Sequence, residues 1–263
     1  LHSLLNFRKK LKTGLDMITK TNPEYIESYN KDASNYRGNA DVVYIPENTE
    51  ELAALVAELY GKNVRFTVSG AGTGLCGGRT VQGGAVISTE NLSRIIDIDY
   101  EKKTAEVEPG VLLSDLETRL HSHRCFYPPN PTEKDSSIGG NIANNSSGSR
   151  TFKYGPTRNY VEALQLILPD GDRLAIERGE HCADGDRLAL RTDGGRLIEL
   201  KIPDIKMPAV KNAAGFWLKP SMDAIDLFIG SEGTLAVVAG ARLRFLEQPE
   251  RVTGLLIFFD EEK

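Results

Sequence analysis

Residues 69–84, SGAGTGLCGGRTVQGG, set Gly70, Gly72, Gly74, Gly77, Gly78, Gly83 and Gly84 between two apolar runs, Val64/Phe66/Val68 and Ala85-Val86-Ile87. Such a loop exposes many backbone N–H groups, and the missing side chains let a bulky anion approach the main chain closely. Anion binding is the chemistry this spacing suits. A solvated linker would carry Ser, Lys or Glu where this loop carries Leu75, Cys76 and Val81. Two better-known phosphate motifs fail on context. Residues Gly70-Ala71-Gly72-Thr73-Gly74-Leu75 begin like G-x-G-x-x-G, with Glu90 where an acidic ribose ligand would stand. Leu75, however, occupies the third glycine position, and residues 76–84 lack a helical period. Gly72 and Gly77 match the start of G-x-x-x-x-G-K-[ST], yet Gly78 and Arg79 stand where Lys and Ser or Thr are required. What remains is a nest of amides without a helix dipole, suited to an extended diphosphate.

Two further tracts carry ligand-type residues. Residues 128–148, PPNPTEKDSSIGGNIANNSSG, begin at Pro128 and supply Ser136, Ser137, Asn141, Asn144, Asn145, Ser146 and Ser147 as short neutral donors and acceptors. Gly139, Gly140 and Gly148 keep the backbone accessible there. That composition suits a polyhydroxyl chain and a heteroaromatic edge without adding charge. An asparagine-rich surface loop is the plainer alternative, against which Ile138, Ile142 and Ala143 argue. The third tract, Gly230-Ser231-Glu232-Gly233-Thr234, reads as a tight turn in which Glu232 either accepts from a ligand or caps. Together the tracts suggest one elongated ligand with a diphosphate, a polyol and a ring.

The elements that must position these tracts read as α+β in two subdomains. Leu4, Leu5, Phe7, Leu11, Leu15 and Ile18 predict an N-terminal helix, and residues 25–41 read as irregular. Residues 41–46 predict a strand closed by Pro46; Thr49 is predicted to cap a helix over 50–60 that Gly61 ends. With the strand 65–68 this is a βαβ unit whose glycine loop lies at the strand's C-terminal end, the usual ligand edge of an α/β sheet. Strands are predicted at 94–97 and 104–107 around the turn Glu101-Lys102-Lys103, and a helix from Ser114 to His121. A hairpin follows at 161–168 and 173–176, then a polar surface excursion over 177–203, a helix at 223–228 and a long strand over 234–246.

A formal net charge of −5 with no basic stripe excludes nucleic acid as a partner. No apolar run spans a bilayer, and Cys76, Cys125 and Cys182 are too scattered for a disulfide framework. A reducing, cytoplasmic setting follows as the expectation, with peripheral membrane association left open. His121, His123 and Cys125 look like a metal cluster, but alternate residues at a helix end face different ways, and no metal site is expected. His181-Cys182 reads as incidental, and Trp217 either packs beside the ligand or lies in the core. The chain starts at Leu1 and ends at Lys263, just after the apolar stretch 255–259, which reads as a strand cut off in a longer polypeptide.

The three tracts, in this order, resemble the FAD-binding (PCMH-type) domain of the vanillyl-alcohol oxidase / p-cresol methylhydroxylase superfamily. Within it they look most like the D-lactate dehydrogenase and glycolate oxidase branch. Residues 69–78 are similar to the branch's pyrophosphate loop, 137–145 with Lys153-Tyr154-Gly155 to its flavin and ribityl segment, and 227–235 to its last FAD-contacting turn. The resemblance implies FAD held by Ser69, Gly70, Ala71, Gly72, Thr73, Gly74, Leu75, Gly77 and Gly78. It extends the cofactor set to Pro128, Ser136, Ser137, Gly139, Gly140, Asn141, Asn144, Asn145, Gly148, Glu232, Gly233 and Val238. It implies an N-terminal helical segment at 1–36, an FAD domain at 37–248 with subdomains 37–93 and 94–248, and the first strand of a truncated substrate cap at 249–263. The branch's substrate-handling histidines lie in that cap and C-terminal part, so the catalytic residues are expected beyond Lys263. No histidine stands in residues 69–78, so non-covalent FAD is expected.

A small 2-hydroxy acid substrate such as D-lactate or glycolate, oxidised by hydride transfer to FAD, and an electron acceptor or iron–sulfur partner belong to the same implication. Lys211 and Asn212 match the branch's carboxylate-facing segment, but Val210 and Ala214 replace the Arg and Thr often found there, and Lys211 only partly substitutes for a bidentate cation. A non-catalytic FAD-binding subunit and an enolpyruvyl-sugar reductase on the same fold are the alternatives.

Overall fold

The computed structural model describes residues 17–213 and 215–258. Its first sheet has the order β1-β2-β4-β3, built from β1 (Ile18–Lys20), β2 (Val42–Ile45), β3 (Phe66–Ser69) and β4 (Ala85–Ser88). β2 and β3 each run parallel to the central β4, while β1 pairs antiparallel with β2. A strand buried on both faces needs apolar side chains at every position, which is why residues 42–45 read as a continuous run. Val42 and Tyr44 pack under the helix Thr49–Gly61 against Leu52, Leu55, Val56 and Leu59, and Val43 and Ile45 pack on the other face with Ile26, Tyr29 and Val86. Burying each of those leucines contributes roughly 1.5–3 kcal/mol.

The helix begins differently from the sequence expectation. Asn48, not Thr49, is the N-cap, its side chain accepting from the Glu51 N–H at 2.8 Å. Glu51 reaches back to accept from the Glu47 N–H at 2.9 Å, a reciprocal cap that satisfies two end donors. The helix crosses from β2 to β3, and residues 70–84 then return the chain without any helix to β4, between the two strands already laid down.

The second sheet is antiparallel, with the order β5-β6-β12-β8-β9: β5 (Ile95–Asp99), β6 (Thr104–Val107), β8 (Val161–Ile167), β9 (Arg173–Glu177) and β12 (Val237–Arg244). The helices Leu113–His121 and Ile138–Ala143 bury Leu116, Leu120 and Ile142 with Val107, Leu164 and Leu243. Short β7 (Cys125–Phe126) pairs with β13 (Leu246–Glu247). Ile167, Val237 and Ala239 join the core of the first sheet, so the two sheets share apolar contacts.

Four further expectations change. Ile18 lies in β1 rather than in a helix, and the rest of the predicted N-terminal helix lies outside the described residues. The irregular stretch 25–41 opens with the helical turn Pro23–Ile26, which Asn22 caps. The polar excursion is an antiparallel hairpin, β10 (Arg187–Arg191) with β11 (Leu197–Lys201); Leu188 and Leu190 alternate with Arg and Ala and reach the core. The cap strand expected in 249–263 is not formed over residues 251–258. Val252, Leu255, Leu256 and Phe258 are exposed there, and among the described residues no strand pairs with them. The remainder of that expected strand, through Lys263, lies outside the described residues.

Buried phenols make this core sensitive to alkali. Burial, with the Glu58 carboxylate adding, pushes Tyr44 up to about 12, and burial also raises Tyr127 and Tyr160. A phenol with a higher pKa folded than unfolded stabilises fully below the unfolded value and loses that stabilisation as pH climbs toward the folded one. Urea midpoints should therefore hold to near pH 10 and then fall toward pH 12, alongside a cooperative rise in tyrosinate absorbance. A midpoint unchanged through that window would contradict the prediction.

Candidate functional site

The three sequence tracts meet. A Cβ built on Gly70 would lie 2.1 Å from the Ser137 Oγ, so the glycine loop touches the start of the helix Ile138–Ala143 only because Gly70 has no side chain. Ser137 caps that helix, accepting from the Gly140 N–H at 3.3 Å. The far end of the helix is gripped by the third tract: Gly230 N–H donates to Ile142 O and Glu232 N–H to Ala143 O, each at 2.9 Å. Gly230 (φ +84°) and Gly233 (φ +73°) supply the left-handed conformations of this turn, and Glu232 adopts one despite its side chain (φ +53°).

Between the sheets lies a cleft of about 510 Å³, within the usual range for small-molecule sites. Gly70, Gly78, Gly139, Gly140, Glu232, Gly233 and Val238 line it, with Tyr60, Phe66 and Val68 as an apolar wall. Pro109 also lines it, and its neighbour Gly110 packs on the carbonyls of Thr89 and Leu92; sequence reasoning passed over this pair. The Pro-Gly dipeptide following the strand pattern at 104–107 was the available signal.

The loop's main chain is unusually free to take a ligand. Among the described residues, the N–H groups of residues 70–76 find no acceptor in the chain, whereas folded proteins pair nearly all such groups. Gly77 does find one, the Asp32 carboxylate at 2.6 Å. Burial pushes Asp32 up, but hydrogen bonds from Ser34 and Gly77 outweigh it and hold the carboxyl below its usual range.

The other predicted residues take varied positions. Asn141 donates to Ser136 Oγ at 3.0 Å and Asn145 accepts from Arg158 N–H at 2.9 Å, so both buried amides brace the tract. Asn144 donates back to Gly140 O at 3.0 Å. Leu75 is exposed, and Ser69 is buried at the end of β3. Gly148 packs against the Asn130 carbonyl and opens on a second cavity of about 1050 Å³. Lys211 and Asn212 line that cavity with Arg158, Trp217 and Lys219, so Trp217 sits there, over the Arg158 guanidinium at 5.0 Å, rather than in the cleft.

The metal-like trio is engaged otherwise. His121 Nδ1 lies 2.6 Å from Gln248 Nε2, the His123 ring stacks on Tyr100, and Cys125 is buried. Among the described residues no group of three acidic, histidine or cysteine side chains could hold a metal ion. Nor is any helix there long and apolar enough to cross a membrane.

Two sheets flanking a cleft, a helix-free glycine loop with unpaired amides, and a neutral polar tract opposite it make a site suited to an elongated ligand with a diphosphate at one end. Comparison with known proteins agrees. A family model described as "FAD binding domain" matches residues 40–177, and the chain belongs to that family, with FAD as its cofactor. The Bacillus subtilis glycolate oxidase subunit GlcD is 35% identical over 235 residues, 88% of this chain and 43% of its own length. A D-lactate dehydrogenase of Archaeoglobus fulgidus is 32% identical over 219 residues, 83% of this chain and 41% of its own. Alkyldihydroxyacetonephosphate synthase shares the fold, with a TM-score of 0.65 at 18% identity over 94% of this chain and 41% of that one. The chain thus spans less than half the length of the relatives it matches.

Proposed function

We propose that this chain is the cofactor-binding part of an FAD-linked oxidoreductase that oxidises a small 2-hydroxy acid such as D-lactate or glycolate. The observation that carries the reading is the convergence of three distant tracts on one cleft beside a run of amides without acceptors. Relatives named as a glycolate oxidase subunit and D-lactate dehydrogenases support the substrate class. Bound FAD supplies the two-electron acceptor for a hydride from the hydroxyl-bearing carbon.

The residues of this chain bind and orient. The amides of residues 70–76 would hold the diphosphate, and Ser137, Gly139, Gly140 and the turn at 230–234 would hold the remainder of the cofactor. The apolar wall at Tyr60, Phe66 and Val68 excludes water from one end of the cleft. Lys211, with Asn212, faces the second cavity, where its ammonium suits a carboxylate. We assign the base that takes the hydroxyl proton to the length these relatives have beyond the matched region, past the position of Lys263, in a cap that begins near residue 249.

Residues 69–78 hold no histidine, which supports non-covalent attachment. The purified chain mixed with FAD should retain a yellow chromophore after desalting and release all of it to the supernatant on acid precipitation. A colourless protein would overturn the cofactor assignment to this cleft, and flavin left in the pellet would overturn the non-covalent one. Reduction of the bound flavin by D-lactate or glycolate, but not by L-lactate, propionate or acetate, tests the substrate class in the full-length protein.

A further inference from the structure

We propose that Arg79 is the counter-cation of the cofactor's diphosphate, held inside the glycine loop before the cofactor arrives. The inference rests on the FAD reading above and adds to it a charge, in a loop otherwise made of neutral amides.

The loop is folded around this side chain. A Cβ on Gly72 would lie 1.6 Å from one terminal guanidinium nitrogen of Arg79 and 2.7 Å from its central carbon, and Gly72 has φ +78°. The face of Gly72, in the middle of the acceptor-free amides, is therefore covered by a guanidinium. The Arg79 Nε is buried and has no hydrogen-bond partner. Among the described residues no carboxylate forms an ion pair with Arg79; its contact is the Tyr29 ring, 5.5 Å from the guanidinium carbon. Burial pushes the Arg79 pKa down, with the charges of Tyr29, Asp32 and Glu90 opposing the fall.

Arg79 as a whole is partly buried, and an arginine drawn away from water is normally paired, because its guanidinium offers donors in a planar fork that matches carboxylate and phosphate oxygens. Here the nearby carboxylates are spent elsewhere. Asp32 takes the Gly77 and Ser34 N–H groups, and Glu90 accepts from the Tyr29 hydroxyl at 2.8 Å beside Lys20. Both stay close enough to hold the cation and too committed to neutralise it. The chemistry that completes the site is a doubly charged, multi-oxygen anion approaching Gly72. The plainer role, a cation–π prop for Tyr29, leaves the orphaned Nε and the glycine at 72 unexplained.

The test uses ADP, AMP, adenosine and riboflavin beside FAD, titrated into the cofactor-stripped chain at several salt concentrations. Wild type should bind FAD and ADP with affinities that fall steeply with salt, and adenosine and riboflavin weakly and without salt dependence. Arg79→Gln should weaken FAD and ADP by about 10- to 100-fold, the range for a charge-assisted bond, flatten their salt dependence, and leave adenosine unchanged; Arg79→Lys should recover part of the loss. Equal affinities and salt slopes in wild type and Arg79→Gln would overturn the proposal. If Arg79→Gln does not fold by circular dichroism, wild type decides alone: equal salt slopes for ADP and adenosine overturn it. Failure of wild type to bind FAD at all would instead sink the reading beneath it.

Discussion

Replacing Asp226 by Ala is expected to lower the unfolding free energy by about 3–5 kcal/mol, the cost of leaving a buried cation without its partner. Arg158 and Asp226 are nearly buried, with side chains 9% and 12% exposed, and the guanidinium lies 3.2 Å from the carboxylate. Arg158 also donates to the backbone carbonyls of Asp226 and Ile229, which binds the helical turn Ile225–Phe228 to the turn at 230–234. A second arginine, Arg178, shares the same carboxylate at 3.2 Å. Removal of Asp226 therefore strands Arg158 and leaves Arg178 its longer pair with Asp223 at 3.7 Å, whereas Arg158→Met leaves Asp226 one partner and frees two carbonyls. The single variants should not add: Arg158→Met with Asp226→Leu should be markedly more stable than the sum of both losses predicts. Since residues 231–234 line the cleft, FAD retention should weaken in Asp226→Ala even at temperatures where the chain stays folded. Urea denaturation with fluorescence detection reads the first effect, and desalting after FAD addition the second. Additive single effects would mean the two groups do not act as a pair.

That network was invisible in the sequence, and the reason is physical. Arg158 and Asp226 are far apart along the chain, and nothing local distinguishes them from surface charges. The strands at 42–45 and 85–88 were legible because burial on both faces forces continuous apolar runs, and 66–69 because Phe66 and Val68 alternate with polar residues. The β8–β9 hairpin was legible from the apolar content of β8, the alternation of β9 and the Pro-Asp-Gly turn at 169–171. The β10–β11 hairpin was missed because clear alternation is confined to Leu188 and Leu190 in β10, while β11 exposes Leu197 and Leu200 beside Glu199 and Lys201, so the average polarity of 177–203 hid it. The apolar stretch 255–259 has a composition that suits a strand, but a strand needs an edge to pair with, and composition does not say where that edge lies. The glycine loop announced itself by composition, yet its occupant came from putting three tracts together. The sequence could not show that Gly70 exists to admit Ser137, or that Asn141 and Asn145 brace the tract. Those facts depend on which backbones come close, and only the folded chain sets that.

Close backbone approach also makes Gly110→Ala the second large effect. An added Cβ would lie 2.1 Å from the Thr89 carbonyl oxygen and 2.7 Å from that of Leu92. Neither is a flexible side-chain end, so the main chain itself must move. Leu92 O already accepts from Gly110 N–H at 2.7 Å, and Thr89 N–H donates to Ser69 O at 3.0 Å. A push at Gly110 is thus passed to the last residue of β3, where the glycine loop begins. Overpacking of this kind costs about 3 kcal/mol. Gly61→Ala is the matched control: nothing lies within 4 Å of its added Cβ, and the position ends a helix, so stability should hold or rise by up to about 1 kcal/mol. Gly110→Ala should lose FAD as well as stability, because the shift separates the loop from Pro109 and Gly139 across the cleft, where a Cβ on Gly139 would already lie 2.7 Å from Pro109. Paired urea melts and FAD titrations of the two variants decide it: if Gly110→Ala behaves like Gly61→Ala, the junction at 89–110 is not what holds the cleft together.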